Sequence, residues 1–185
     1  MLFNIAMSKR TCILVPPCLL APGLQAEANS NTSNWGIPFV EVALKNNIDI
    51  QVLPCTESLF GGAGVGFTRR KHGIDYYSNI PGYSSFCAKK ATEAVEEIRG
   101  LSRSYDVIAI FGVEHSPSCA INYMYSHHGM LKMSGLFMQV LQERLSEENI
   151  IIPFIGVNRN HPRKALVEFK ALIPKPENEG AQKNL

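Results

Sequence analysis

The stretch Cys87–Phe111, CAKKATEAVEEIRGLSRSYDVIAIF, changes period half-way along. In its first part Cys87, Ala91, Ala94, Val95 and Ile98 recur at i, i+4, i+7, i+8 and i+11, one face of an amphipathic helix, and Gly100 is placed to end it. In its second part, Val107–Phe111, every position is apolar, the pattern of a strand covered on both faces. A helix that delivers the chain into a doubly covered strand is the repeating unit of a parallel sheet with helices on both sides.

Working outward, three further runs, Thr11–Val15, Ile48–Leu53 and Ile150–Val157, are rich in Ile and Val and lack polar alternation. Between the first two, a helix begins near Trp35 and Pro38, carries Phe39, Val40, Ala43 and Leu44, and stops at Asn46–Asn47. Before the last run, Leu136, Phe137, Val140, Leu141 and Leu145 form one apolar face, and Ser134 offers an N-cap oxygen. A short helix is expected from Pro162 to Leu172. With right-handed crossovers this order predicts a three-layer α/β/α sandwich around a mostly parallel sheet of four to five strands, Rossmann-like or flavodoxin-like. Residues 1–173 read as one domain, and the polar, proline-bearing PKPENEGAQKNL of 174–185 reads as a flexible tail. The loops Pro16–Asn34 and Ser58–Gly82 are long enough to be functional.

The 185 residues, 45% of them hydrophobic, suffice for one full core. The net charge of +2, from 18 basic and 16 acidic residues, makes too weak a field to expect nucleic acid or membrane as the main partner. A small molecule fits better, and composition does not set the oligomeric state. Residues 1–28 have the basic pair, apolar run and small residues of a secretory leader. Against that, Lys9 and Arg10 come late, Pro16 and Pro17 interrupt the run, and Thr11–Val15 reads as a buried strand, so a cytoplasmic location is expected. No apolar run approaches the ~18 to 20 residues of a membrane span.

The 5 cysteines form no CxxC pair, and their odd number suits a disulfide scaffold poorly, so reduced thiols are expected. Cys12 lies within a strand and Cys87 on an apolar helix face, where cysteine serves as a small hydrophobe. Cys18, Cys55 and Cys119 instead follow the first, second and third strands. Open parallel sheets bind ligands beyond the carboxyl ends of their strands, so these three thiols are expected at one edge. Three thiolates serve zinc, with a fourth ligand such as His115, His127 or His128, or three corners of a [4Fe-4S] cluster; spacing does not choose between them.

The residues around these cysteines carry a resemblance. Pro17-Cys18-Leu19-Leu20, then Cys55-Thr56-Glu57 followed by Gly61-Gly62, then Ser116-Pro117-Ser118-Cys119 occur in that order. Together they resemble the thiouracil desulfidase family, with its Cys-Leu-Leu motif, its Cys-Pro-Glu motif and glycine pair, and its Ser-Pro-Ser-Cys motif, over residues 11 to 156. The resemblance implies a [4Fe-4S] cluster on Cys18, Cys55 and Cys119 whose fourth iron is free for the sulphur of thiouracil or a thiolated uridine nucleotide. Thr56 stands where the family has proline, Ala120 where glycine is usual, and Pro22–Asn34 bears little likeness to the family's first loop.

For that chemistry, a carbon–sulphur bond hydrolysis, Glu57 is the carboxylate to activate water, being two residues from Cys55. Ser116 and Ser118 are the next candidates, to relay a proton or hold the water. Gly61 and Gly62 open a glycine-rich run that lacks the P-loop lysine and has Phe67 where a dinucleotide fingerprint has its third glycine. Its glycines suit close backbone approach to cluster or substrate. Arg69 and Arg70 follow and would clamp a phosphate if the substrate is a nucleotide. Tyr76, Tyr77 and Tyr83 read as packing, with base stacking as the alternative. The competing functions are a zinc-dependent hydrolase on the same thiols and a non-catalytic nucleotide-binding domain.

Overall fold

The computed structural model describes residues 9–21, 24, 34–60 and 73–175. In chain order its elements are β1 (Arg10–Val15), α1 (Pro17–Leu20), α2 (Ile37–Lys45), β2 (Asp49–Val52), α3 (Thr56–Leu59), α4 (Ile74–Ser78), α5 (Tyr83–Leu101), β3 (Tyr105–Val113), β4 (Met124–Ser126), β5 (Gly129–Leu131), α6 (Leu136–Glu147), β6 (Phe154–Val157) and α7 (Arg163–Leu172). Four strands form a parallel sheet in the order β2-β1-β3-β6, and β4 pairs antiparallel with β5 as a separate hairpin. The expected α/β architecture is thus present.

The continuous apolar runs are explained by position. β1 is paired on both edges and covered on both faces, so Cys12, Ile13, Leu14 and Val15 are all buried. On one face Leu14 and Ile110 pack against Cys87, Ala91 and Ile98 of α5 and Phe137 and Leu141 of α6. On the other, Ile13, Val15 and Phe111 meet Phe39 and Ala43 of α2 and Phe169 of α7. Phe111 makes edge contacts to both Phe39 and Phe169, at 5.6 and 5.2 Å. The run that resembled a leader's apolar segment is therefore the interior strand of the sheet. No helix among the described residues is long and apolar enough to cross a membrane.

The chain steps from β1 outward to β2, then returns past β1 to β3 and on to β6. Its direction of winding reverses between β1 and β3, and a crevice opens beyond their carboxyl ends at such a point.

Asparagines end two of the helices. After α2, Asn47 adopts φ 53°, the Ile48 N–H donates to the Ala43 carbonyl and the Asn47 N–H to that of Leu44; after α6, Asn149 at φ 56° and Ile150 repeat the pattern on Leu145 and Ser146. Both are Schellman closures in which asparagine takes the left-handed residue.

Several local expectations are corrected. Gly100 lies inside the last turn of α5, which ends at Leu101. Ser134 does not cap α6: its hydroxyl donates to the Ile121 carbonyl, and Gly135 holds the cap position. Only Phe154–Val157 of the last run is strand; Ile150 closes α6, Ile151 is 95% exposed, and Pro153 contributes only its carbonyl, to the Ile110 N–H. The two long loops contain α1, the end of α3 and α4. Residues 1–8 of the leader-like segment, the glycine-rich and basic run with Gly61, Gly62, Arg69 and Arg70, and 176–185 of the polar tail lie outside the described residues.

Candidate active site

Each cysteine is placed by the turn its strand runs into. After β1, Pro16 is extended and Pro17 occupies the first position of α1, where its fixed φ and missing N–H cost nothing, so Cys18 turns back over the sheet edge at once. After β2, Cys55 is the N-cap residue of α3 and Glu57 lies in the first turn. After β3, the chain enters a turn in which the Ser116 hydroxyl oxygen accepts the N–H groups of Ser118 and Cys119, at 3.3 and 3.1 Å. That local pairing of a serine with its own backbone is what holds Cys119.

Cys18, Cys55 and Cys119 line one cleft of about 100 Å³ with Glu57, Ser116 and Ser118. Glu57 is held by hydroxyls: Ser118 donates to its Oε1 at 2.6 Å, Ser116 to the same oxygen at 2.9 Å, and Tyr77 to Oε2 at 3.4 Å. The two serines, β3 and α3 are thereby tied together across the cleft.

The thiols sense one another. Burial, then Cys119, Cys55 and Glu57, hold the Cys18 thiol well above its ordinary value. Burial and then Glu57 push Cys119 up to about 12, with the Ser116 hydroxyl opposing. Adding a cation to such a group inverts this, since a coordinated thiol is deprotonated outright. Three thiols beside a carboxylate are donors chemically suited to a cationic inorganic centre, although among the described residues no group of three or more His, Cys, Asp or Glu side chains is placed to hold a metal ion.

Other expected residues separate. Of the three histidines, His115 lines the cleft, whereas His127 pairs with Asp75 at 2.8 Å in the β4–β5 turn and lies against the His128 ring, the planes tilted by 43°. Tyr83 is a packing residue, 0% exposed; Tyr77, 2% exposed and 5.3 Å from it, packs there too but also lines the cleft and bonds Glu57. Cys12 and Cys87 are buried, as small hydrophobes are.

Thr56 is the first residue of α3, a position equally open to proline, and its hydroxyl lies 3.2 Å from that of Tyr83. A buried polar anchor to α5 thus stands where the resembled family has a ring. Ala120 is fully buried and has no positive φ, so nothing there demands glycine.

Glu114 was not among the expected site residues. It is 6% exposed, lines the cleft, and accepts the N–H groups of Asn122 and Tyr123 and the Asn122 amide, at 3.1, 2.9 and 2.7 Å. A Cβ on Gly156 would overlap its Oε1, so β6 needs glycine at that point. The signal in the sequence was an acidic residue directly after the apolar run Val107–Val113.

No family model and no curated protein matches the sequence. Among solved structures, one likeness spans most of the molecule. It is to a [4Fe-4S]-dependent thiouracil desulfidase, TudS. The TM-score is 0.55 with 16% identity, over 88% of this chain and 99% of the desulfidase. At that identity the likeness shows a shared fold.

Proposed function

We propose that the cleft binds a [4Fe-4S] cluster through Cys18, Cys55 and Cys119 and removes sulphur hydrolytically from a small thiolated pyrimidine, thiouracil or a thiouridine nucleotide. The observation that carries the reading is that three cysteines, each following a different neighbouring strand, border one cleft with a carboxylate fixed by two serines. The fold likeness to TudS supports it. Zinc hydrolysis on the same thiols is the alternative, and the fold likeness to a [4Fe-4S]-dependent enzyme favours the cluster.

When bound, the cluster supplies a Lewis-acidic iron for the substrate's sulphur. The chain's own groups handle the water and its proton. Ser116 and Ser118 occupy Oε1 of Glu57, so Oε2, which among the described residues has the longer Tyr77 contact, is the oxygen that accepts a proton from the attacking water. The serines are positioning residues in this scheme. Phe137 and Leu24 give the cleft apolar wall and limit bulk water. In the same reading Gly61, Gly62, Arg69 and Arg70 serve the substrate, the arginines facing a phosphate. Water adds its oxygen to the ring carbon, the carbon–sulphur bond breaks, and sulphide leaves without net oxidation or reduction. Anaerobic reconstitution followed by sulphide assay with thiouracil, thiouridine and thiouridine monophosphate tests the proposal. Sulphide release with stoichiometric oxo product supports it; a fully loaded protein inert toward all three overturns it.

A further inference from the structure

The loop between β3 and β4 carries a strained residue at the cleft. His115 has φ 71°, in the left-handed region that non-glycine residues enter at a cost. The surroundings impose this conformation. The His115 N–H donates to the Tyr123 carbonyl at 2.7 Å, while Glu114, one residue earlier, binds the N–H groups of Asn122 and Tyr123 from the other side. Both ends of the loop are thus clamped, and the backbone between has one shape.

The shape sets an aromatic ring. The His115 imidazole stacks on Tyr125, centroids 4.6 Å apart and planes 25° from parallel. His115 lines the cleft beside Glu57 and the three cysteines; Tyr125 does not. Tyr125 therefore backs the imidazole from outside, stiffening a flat π surface next to Ser116. Strain held in place at a cleft wall, with a second ring bracing the first, is the arrangement of a binding platform.

We infer that His115 is a specificity-determining residue whose braced imidazole stacks on the planar ring of the substrate, selecting heteroaromatic thiones over open-chain ones. The inference rests on the desulfidase reading and deepens it. Stacking acts on the bound ring in ground and transition states alike, so its loss raises KM and leaves kcat nearly unchanged.

His115→Gly is the decisive variant, because glycine accepts the positive φ without cost and removes only the ring. In the cluster-loaded protein, KM for thiouracil should rise about tenfold, at the lower end of what stacking on a base contributes, and uracil, followed by titration calorimetry, should weaken by the same factor. Thiourea, with no ring, should be handled as by the wild type. His115→Phe should retain most of the wild-type affinity. Circular dichroism confirms that each variant is folded. Unchanged uracil affinity in folded His115→Gly, or an equal loss toward thiourea, overturns the inference while wild-type sulphide release stands. Wild-type protein that neither binds uracil nor releases sulphide removes both this inference and the desulfidase reading.

Discussion

Glu114→Ala is expected to be among the most destabilising single changes outside the apolar core. The carboxylate is 6% exposed and accepts three hydrogen bonds, from the Asn122 N–H, the Asn122 side-chain amide and the Tyr123 N–H. Truncation leaves three donors without their acceptor, but Asn122 and Tyr123 are exposed, so water can replace it at about 1 kcal/mol each and the net loss is about 2–3 kcal/mol of the ~5–15 kcal/mol typical of a domain. Glu114→Gln keeps the shape but sets an NH2 against N–H donors, and should cost about 1–2 kcal/mol. Gly156→Ala attacks the same contact from β6, because its new methyl overlaps Oε1. Its cost, about 1–3 kcal/mol, should shrink when Glu114 is already alanine, since the two changes act on one space. Urea unfolding of the two single variants and the double, at constant m-value, measures all three quantities. A loss below about 1 kcal/mol in Glu114→Ala, or full additivity with Gly156→Ala, would refute the claim that this carboxylate holds the loop.

Glu57→Gln should lower kcat by about 10²- to 10⁴-fold with KM little changed, as steady-state sulphide release will show; an equal kcat would remove Glu57 as the base. Thr56→Pro should keep the backbone of α3 and lose the buried bond to Tyr83, for about 1–2 kcal/mol in chemical denaturation; a cost above that would mean the first-turn assignment is mistaken. Burial, with smaller contributions from Asp49 and Asp106, pushes Cys12 up from 9.0 to about 11. A thiol whose pKa is higher in the folded state stabilises fully below the unfolded value and loses that contribution as pH rises through the folded one. Stability of cluster-free protein should therefore decline from about pH 9 toward 11, and less steeply in Cys12→Val; identical pH profiles for the two would contradict the assignment.

The sheet was legible because strands covered on both faces must be apolar throughout, and Ile13, Leu14, Ile110 and Phe111 obey that rule independently of any partner's identity. The rule that ligands gather beyond strand ends likewise pointed Cys18, Cys55 and Cys119 to one edge. What escaped was structure made by contacts distant along the chain. Helices α1, α3 and α4 have four or five residues, too few to show a period, and tertiary packing holds them. The extension of the last run to Ile150 failed because apolar content cannot tell a buried strand from the residue that closes a preceding helix. Glu114 gains its role only from Asn122, Tyr123 and Gly156, and the Ser118–Glu57 bond joins loops that no local pattern connects.

The central claim concerns three sulphur atoms and one inorganic core, and iron loading of cysteine variants tests it most directly. After anaerobic reconstitution, the wild type should contain iron and acid-labile sulphide in equal amounts with the broad visible absorbance of a cluster. Alanine at Cys18, Cys55 or Cys119 should each abolish or destabilise it, whereas alanine at Cys12 or Cys87 should not. Folded wild-type protein that takes up no cluster, or a cluster retained undiminished when all three are replaced together, would contradict the account.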